Sequence, residues 1–198
     1  AKIRALSHLD IPTDLKQVQK LAGCVAALSR FISKLGEKAL PLYKLLRRTD
    51  KFKWTDAVIA GLEEIKSLLA SNPILAAPGV GEPILLYISA TNQVVSVVLV
   101  IERGEEGHKF PTQKPVYCVS EVLTPCKSRY PHYQKIAHIV FMASHKLRHY
   151  FQECSVIVAS EVPLNDIINN WDATGRIAKW AIELLPFKII YKPRRLLN

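Results

Sequence analysis

The sequence is poor in the residues that make a disulfide scaffold, a membrane span or a metal clip. Its 198 residues include only four cysteines, Cys24, Cys118, Cys126 and Cys154, and no Cys-x-x-Cys pair. Their spacing fits neither a zinc finger nor a dense disulfide framework. Four reduced thiols in an intracellular protein are therefore expected, with Cys24 and Cys154 as small core residues among apolar neighbours. The longest apolar runs, Ile84–Ile88 and Val94–Ile101, fall well short of the roughly 18 residues of a membrane span. The opening residues lack the basic, apolar, small-residue order of a secretory leader. Ala1 in place of Met suggests a piece of something longer. Nor is there a repeat or a low-complexity tract. Apolar residues make up 49% and charged residues 22%, an ordinary globular balance with enough apolar side chains for a sizeable core.

Negative charge is also scarce. Lys and Arg number 27 against 17 Asp and Glu, a net charge of +10. Residues 1–82 hold 13 basic and 8 acidic side chains, and residues 83–198 hold 14 and 9, so no basic tail accounts for the excess. A body positive throughout suits a polyanion, with nucleic acid ahead of a membrane surface or an acidic protein.

Periodicity divides the chain. Thr13 is placed to cap a helix over about 15–33, where Leu21, Cys24, Val25, Leu28, Phe31 and Ile32 recur at helical spacing; Gly36 is expected to break it. A short helix is predicted around 38–47. Thr55 is expected to cap another over about 56–70, with Val58, Ile59, Leu62, Ile65, Leu68 and Leu69 as its apolar face and Asn72-Pro73 as its stop. The stretch Pro78–Pro83 carries two prolines and two glycines and marks a boundary. After it come β-branched runs at 84–90 and 94–101, split by Thr91-Asn92-Gln93. A loop over 102–113 and a strand at 115–120 follow. A long helix is expected from Tyr130 or Pro131 to Tyr150. Then come a strand at 155–160, helices at 163–170 and 174–185, and a last strand at 187–191. The fold class read from this order is α/β, with an N-terminal helical segment followed by a mixed β-sheet flanked by helices, an order compatible with an RNase H-like layout.

Several strings carry a resemblance. Arg30-Phe31-Ile32, Pro41-Leu42-Tyr43-Lys44-Leu45-Leu46, Phe52-Lys53-Trp54-Thr55 and Pro73-Ile74-Leu75 occur in that order. They resemble the R-F-I, P-L-x-x-L-L, F-x-W-T and P-x-L series that follows the polymerase palm in gypsy-type LTR retrotransposon reverse transcriptases. Lys114-Pro115-Val116-Tyr117-Cys118-Val119-Ser120 resembles K-P-[IV]-x-Y-x-S, and Lys146–Phe151 resembles K-F-R-H-Y-L. Arg176 to Trp180 and Phe187 to Pro193 resemble R-x-x-x-W and F-x-I-x-Y-x-P. Gly23–Ser33 is similar to plant lineages. The resemblance covers essentially the whole chain. It implies a Pol polyprotein fragment, with 1–82 as the helical end of a reverse-transcriptase thumb/connection and 83–198 as a degenerate RNase H-like domain. The parent would be an RNA-directed DNA polymerase and ribonuclease H. Tyr-x-Asp-Asp is absent, so this piece is not expected to polymerise DNA.

RNase H chemistry holds two hard divalent metals about 4 Å apart with clustered carboxylates. Active members carry T-D-A-S, T-E-K-E-L-L-A and T-D-x-x-P-L. Aligned to these, Ser89 stands for the first Asp, Ile136 for the metal-binding Glu and Ser160 for the second Asp, and Gln134 replaces a further Glu. No acid occurs between Pro83 and Val100, and Glu161 is one step out of phase. The expectation is therefore no catalytic residues, no metal and no cofactor, with Mg²⁺ relevant only if this were an active RNase H in which His132 or His138 supplied displaced ligands. What remains is a connection or tether contacting an RNA/DNA hybrid and the rest of the polyprotein. It would act in the cytoplasm, a virus-like particle or the nucleus, with no membrane role. A host-adopted interaction protein of retroelement ancestry is the remaining class. Candidate nucleic-acid contacts are Arg47, Arg48, Lys51 and Lys53 beside Phe52 and Trp54, and Lys146 and Arg148 with His149 on the long helix. Arg194 and Arg195 read as solvated charges, and Trp171 and Trp180 as packing residues.

Overall fold

A computed structural model of the protein describes residues 12, 14–47, 55–71, 74–104, 107, 110–170 and 172–194. Helix α1 spans Leu15–Ala27 because Val18, Leu21, Ala22 and Val25 fall on one face and are buried. Its cap is Asp14, whose Oδ1 accepts from Gln17 N at 2.8 Å. Thr13, the expected cap, lies outside the described residues. A 3₁₀ turn follows at Ser29–Phe31. Gly36 does not break a helix but sits inside the next one, α2 (Leu35–Lys38), which leads into α3 (Leu40–Arg47). Helix α4 spans Asp56–Ala70 and buries Val58, Leu62, Ile65 and Leu69. Thr55 is its cap by position, without a side-chain capping bond. These helices enclose a core of their own, which includes Leu21, Val25, Ile32, Leu42, Leu62, Ile65 and Leu69. Cys24 is partly buried against it rather than inside it.

Five strands follow: β1 (Ile84–Ala90), β2 (Val94–Arg103), β3 (Thr112–Val122), β4 (Val156–Ser160) and β5 (Ile189–Pro193). Their order across the sheet is β3-β2-β1-β4-β5, with an antiparallel meander β1–β2–β3 and parallel β1–β4 and β4–β5 pairs. Thr91 closes the β1–β2 turn, its Oγ1 accepting from Val94 N at 3.0 Å. Part of the expected loop at 102–113 is strand: Glu102 pairs with Gln113 and Arg103 with Thr112. Arg103 is further held by a two-point ion pair with Glu82 and by the Ala77 carbonyl.

Short α5 (Pro125–Ser128) leads to α6 (His132–Lys146) and α7 (Arg148–Glu153). The single helix expected from 130 to 150 is interrupted at Leu147, which leaves helical geometry at φ −120°, ψ 34°. Leu147 is buried in the main core, so its anchoring there accompanies the break. Helices α8 (Leu164–Ile168) and α9 (Gly175–Leu184) complete that side.

The alternation of β-residues gives the sheet two buried faces. One carries Ile84, Leu86, Val95, Val97, Leu99, Val156 and Val158 against α6, which buries Ile136, Ile139, Val140 and Ala143. At about 1.5–3 kcal/mol for each fully buried aliphatic or aromatic side chain, this core outweighs any single polar contact in the domain. The other face carries Leu85, Val94, Val100 and Cys118, also buried, and receives the 3₁₀ turn and α2 on β2 and β3. Gly36 makes that seat: a Cβ there would stand 2.6 Å from Val94 Cγ1.

Candidate nucleic-acid interface

The resemblance motifs prove to be joints. Arg30, from the R-F-I string, lies 5.0 Å over the Phe31 ring and 5.8 Å over the Tyr117 ring of β3, fastening the helical segment to the sheet. Arg176 and Trp180, one turn apart on α9, dock it on α6. Arg176 lies 5.0 Å over Tyr130, and Trp180 stacks 5.7 Å from Phe141 and lies 5.4 Å from His138. Trp180 is thus a core residue, as read, while Trp171 lies outside the described residues.

Ile136 is 2% exposed, among Leu86, Ile139 and Val140 of the main core. Ser160 ends β4 on the same face, and its Oγ accepts from Val162 N at 3.1 Å. Ser89 does not join them. The pairs Leu86–Val158 and Tyr87–Ala159 set Ser160 level with Ile88, so alternation turns Ser89 to the opposite face. There it lies in a row with Ser96 and Ser120, whose hydroxyls bond each other at 2.8 Å. One hydrocarbon and two hydroxyls, divided between two faces, do not supply the converging anionic oxygens that Mg²⁺ takes. Among the described residues no three His, Cys, Asp or Glu side chains are grouped to hold a metal.

Of the residues that could have substituted, His132 is paired with Glu161, and His138 is enclosed by aromatic rings. His132 Nε2 is 2.7 Å from Glu161 Oε1, an exposed pair. His138 is 5% exposed and ringed by Tyr130, Phe141 and Trp180. Both its ring nitrogens lack a hydrogen-bond partner among the described residues, and Nε2 stands 3.6 Å from Glu121 Oε1, beyond hydrogen-bond length. Glu121 also takes the Lys127 ammonium at 2.6 Å. The His138 ring and Lys127 hold the Glu121 carboxyl down at about 2, against the opposing effect of burial. This Glu121–His138–Lys127 group was not legible in the sequence, because the three lie on β3, α6 and α5.

Of the candidate basic contacts, Arg48, Lys51 and Lys53 lie outside the described residues, with Phe52 and Trp54; Arg47 ends α3, its side chain likewise outside. Lys146 and Arg148 are exposed but do not share one helix: Lys146 ends α6, and Arg148 begins α7 with His149. Arg148 lines a hollow with Ser144, His145 and Glu183, where His145 and Glu183 pair at 2.8 Å, so a carboxylate already stands beside it. Arg194 is exposed beyond β5. No helix among the described residues is long and apolar enough to cross a membrane.

Comparison with known proteins adds to this geometry. Over nearly its whole length the chain is similar to Pol polyproteins. It is 25% identical over 207 residues to the retrovirus-related Pol polyprotein from transposon opus of Drosophila melanogaster, covering 97% of this chain and 20% of that one. It is 26% identical over 202 residues to the Gag-Pol polyprotein of Koala retrovirus, covering 100% and 12%. The chain thus spans a fifth or less of the length of these relatives. Among solved structures it resembles the foamy viral protease-reverse transcriptase in complex with RNA/DNA hybrid, with a TM-score of 0.75 at 19% identity over 100% of this chain and 27% of that one. The same enzyme in complex with dsDNA gives a TM-score of 0.72 at 20% identity over 97% and 40%. These likenesses establish the fold, a mixed α/β RNase H-like sheet flanked by helices. A family model matches residues 54–158, just over half of the chain, taking in α4, the meander and α6: the chain belongs to the family of RNase H-like domains found in reverse transcriptases.

Proposed function

We propose that this chain is the non-catalytic connection of a Pol polyprotein, tethering a reverse transcriptase to the RNA/DNA hybrid by backbone contacts. The observation that carries this reading is Ile136: where an active member places a metal-binding Glu, this chain has a side chain 2% exposed in the main core. The hydroxyl at the second Asp position is engaged with its own backbone. With the nuclease position filled by packing, the remaining asset is charge, +10 overall, and such contact is sequence-independent and salt-sensitive. In this reading residues 1–82 serve as the thumb/connection end and 83–198 as the degenerate RNase H-like domain. The family match starts ahead of that division. The strings Arg30–Ile32, Pro41–Leu46 and Gly23–Ser33 favour a gypsy-type, plant-like lineage. The protein would work inside the cell, in a virus-like particle or the nucleus, with the rest of its polyprotein as partner.

The test is binding to a labelled RNA/DNA hybrid in Mg²⁺ at low and moderate salt. Binding that weakens steeply with salt while the hybrid stays whole is expected. Mg²⁺-dependent cleavage would instead make this a nuclease with displaced ligands. Absence of binding at low salt would sink the tether and favour a protein-contacting, host-adopted role.

A further inference from the structure

Ser89, turned away from Ile136 and Ser160, lies in a small notch where the N-terminal helical layer meets the sheet. The notch holds about 150 Å³, and Ser33, Lys34, Tyr87, Ser89, Ser96 and Arg194 line it. At ~30 Å³ per water, that is room for a tetrahedral oxyanion and a water beside it. We propose that this notch binds one backbone phosphate of a nucleic-acid strand; the inference rests on the tether reading and names where one of its contacts is made.

Three observations carry it. The lining holds two cations and no carboxylate, and neither Lys34 nor Arg194 makes an ion pair among the described residues. This contrasts with Arg148, which shares its hollow with Glu183. Second, Lys34 is held at φ 54°, the one non-glycine residue in the left-handed region among those described. That conformation costs about 1 kcal/mol or more and is retained where surrounding structure or function requires it. Third, the hydroxyls of Ser33 and Ser89 make no hydrogen bond among the described residues, so each is free to donate. Along β5, Lys192 pairs with Ala159 and so faces the same side of the sheet as Ser89. An Asp at position 89 would set an anion against a phosphate here. A serine offers a donor instead.

The experiment has two independent arms. In the first, the salt dependence of hybrid binding is compared between the wild type and Lys34→Asn/Arg194→Gln, Asn being tolerated in the left-handed region. Lys179→Gln, on α9 across the sheet, is the charge control. The double variant should lower the slope of log K against log salt by about 1, and the control should leave it unchanged. In the second, inorganic phosphate is titrated at constant ionic strength while the amide resonances of Ser33, Lys34 and Ser89 are followed. Their shifts should saturate in the wild type and vanish in the double variant and in Ser89→Asp. Hybrid binding with an unchanged slope in the double variant overturns the notch and leaves the tether standing. Phosphate shifts without hybrid binding overturn the tether and the strand as ligand, leaving a free-phosphate site. Silence in the phosphate arm overturns the notch whatever the hybrid does.

Discussion

Two glycines on two helices should answer the same substitution with opposite signs. Gly61 lies within α4, where a Cβ would run into the Lys38 main-chain carbonyl oxygen at the end of α2. Gly23 lies within α1, exposed, and a Cβ added there would meet nothing within 4 Å. Helix propensity alone favours Ala over Gly by about 1 kcal/mol at both. At Gly23 that gain is unopposed, so Gly23→Ala should raise Tm by about 2–4 °C for a chain of this size. At Gly61 the obstacle is backbone, which cannot rotate aside as a side chain would. Overpacking of this kind costs about 1–3 kcal/mol. With an immovable obstacle the upper half of that range applies, leaving a net loss of about 1–2 kcal/mol and a Tm lower by about 2–8 °C. Thermal unfolding followed by far-UV circular dichroism measures both. Gly61→Ala unfolding at or above the wild-type temperature would refute the close approach of α2 and α4. A destabilised Gly23→Ala would refute the exposed face of α1.

Three further outcomes are expected. Ile136→Glu, which restores the acid of the active pattern, buries a carboxylate among Leu86, Ile139 and Val140, and should cost about 3 kcal/mol or more in urea unfolding without creating Mg²⁺-dependent cleavage; Ile136→Val should cost only about 1 kcal/mol. Glu121 is held near 2 by His138 and Lys127. Its depressed carboxyl therefore adds stability at pH values above 4.5 that is lost as pH falls from about 4.5 toward 2, and Glu121→Gln should flatten the stability profile in that window. Burial pushes the Cys118 thiol up to about 11, while Cys126 is exposed. A thiol-reactive probe at neutral pH should therefore label Cys126 first and Cys118 only on unfolding, as mass spectrometry of the labelled peptides would report.

Much of the architecture was legible in the sequence. The apolar spacing of Val58, Leu62, Ile65 and Leu69 predicts α4, the β-branched runs predict β1 and β2, and the change of period marks where helices give way to sheet. What escaped was set by tertiary contact. Gly36 reads as a breaker, yet here it is the residue small enough to sit on Val94, and so it lies inside α2. Leu147 carries no local signal of a helix end, yet its burial in the core accompanies the interruption that divides Lys146 from Arg148. Strands β2 and β3 run into the expected loop because Glu102 and Arg103 find partners in Gln113 and Thr112. At the candidate site, pattern offers Ser89, Ile136 and Ser160 as counterparts of the acids of the active members, but says nothing of their arrangement. Only the β1–β4 register separates Ser89 from Ser160, and only the notch brings Lys34 and Arg194 to Ser89 from distant parts of the chain.

The parallel pairing at the centre of the sheet bears on how the chain reaches this state. Ile84 meets Val156 only after the rest of the meander and three helices have been made between them, so the central contact closes a long loop before any of its hydrogen bonds can form. The helices ahead of β1 rest on contacts between near neighbours and can assemble on their own timescale. Until β4 arrives, β1 presents an open, apolar edge, Ile84-Leu85-Leu86, to whatever chain is nearby. Low protein concentration during refolding, more than any added ligand, should therefore decide the yield of native protein.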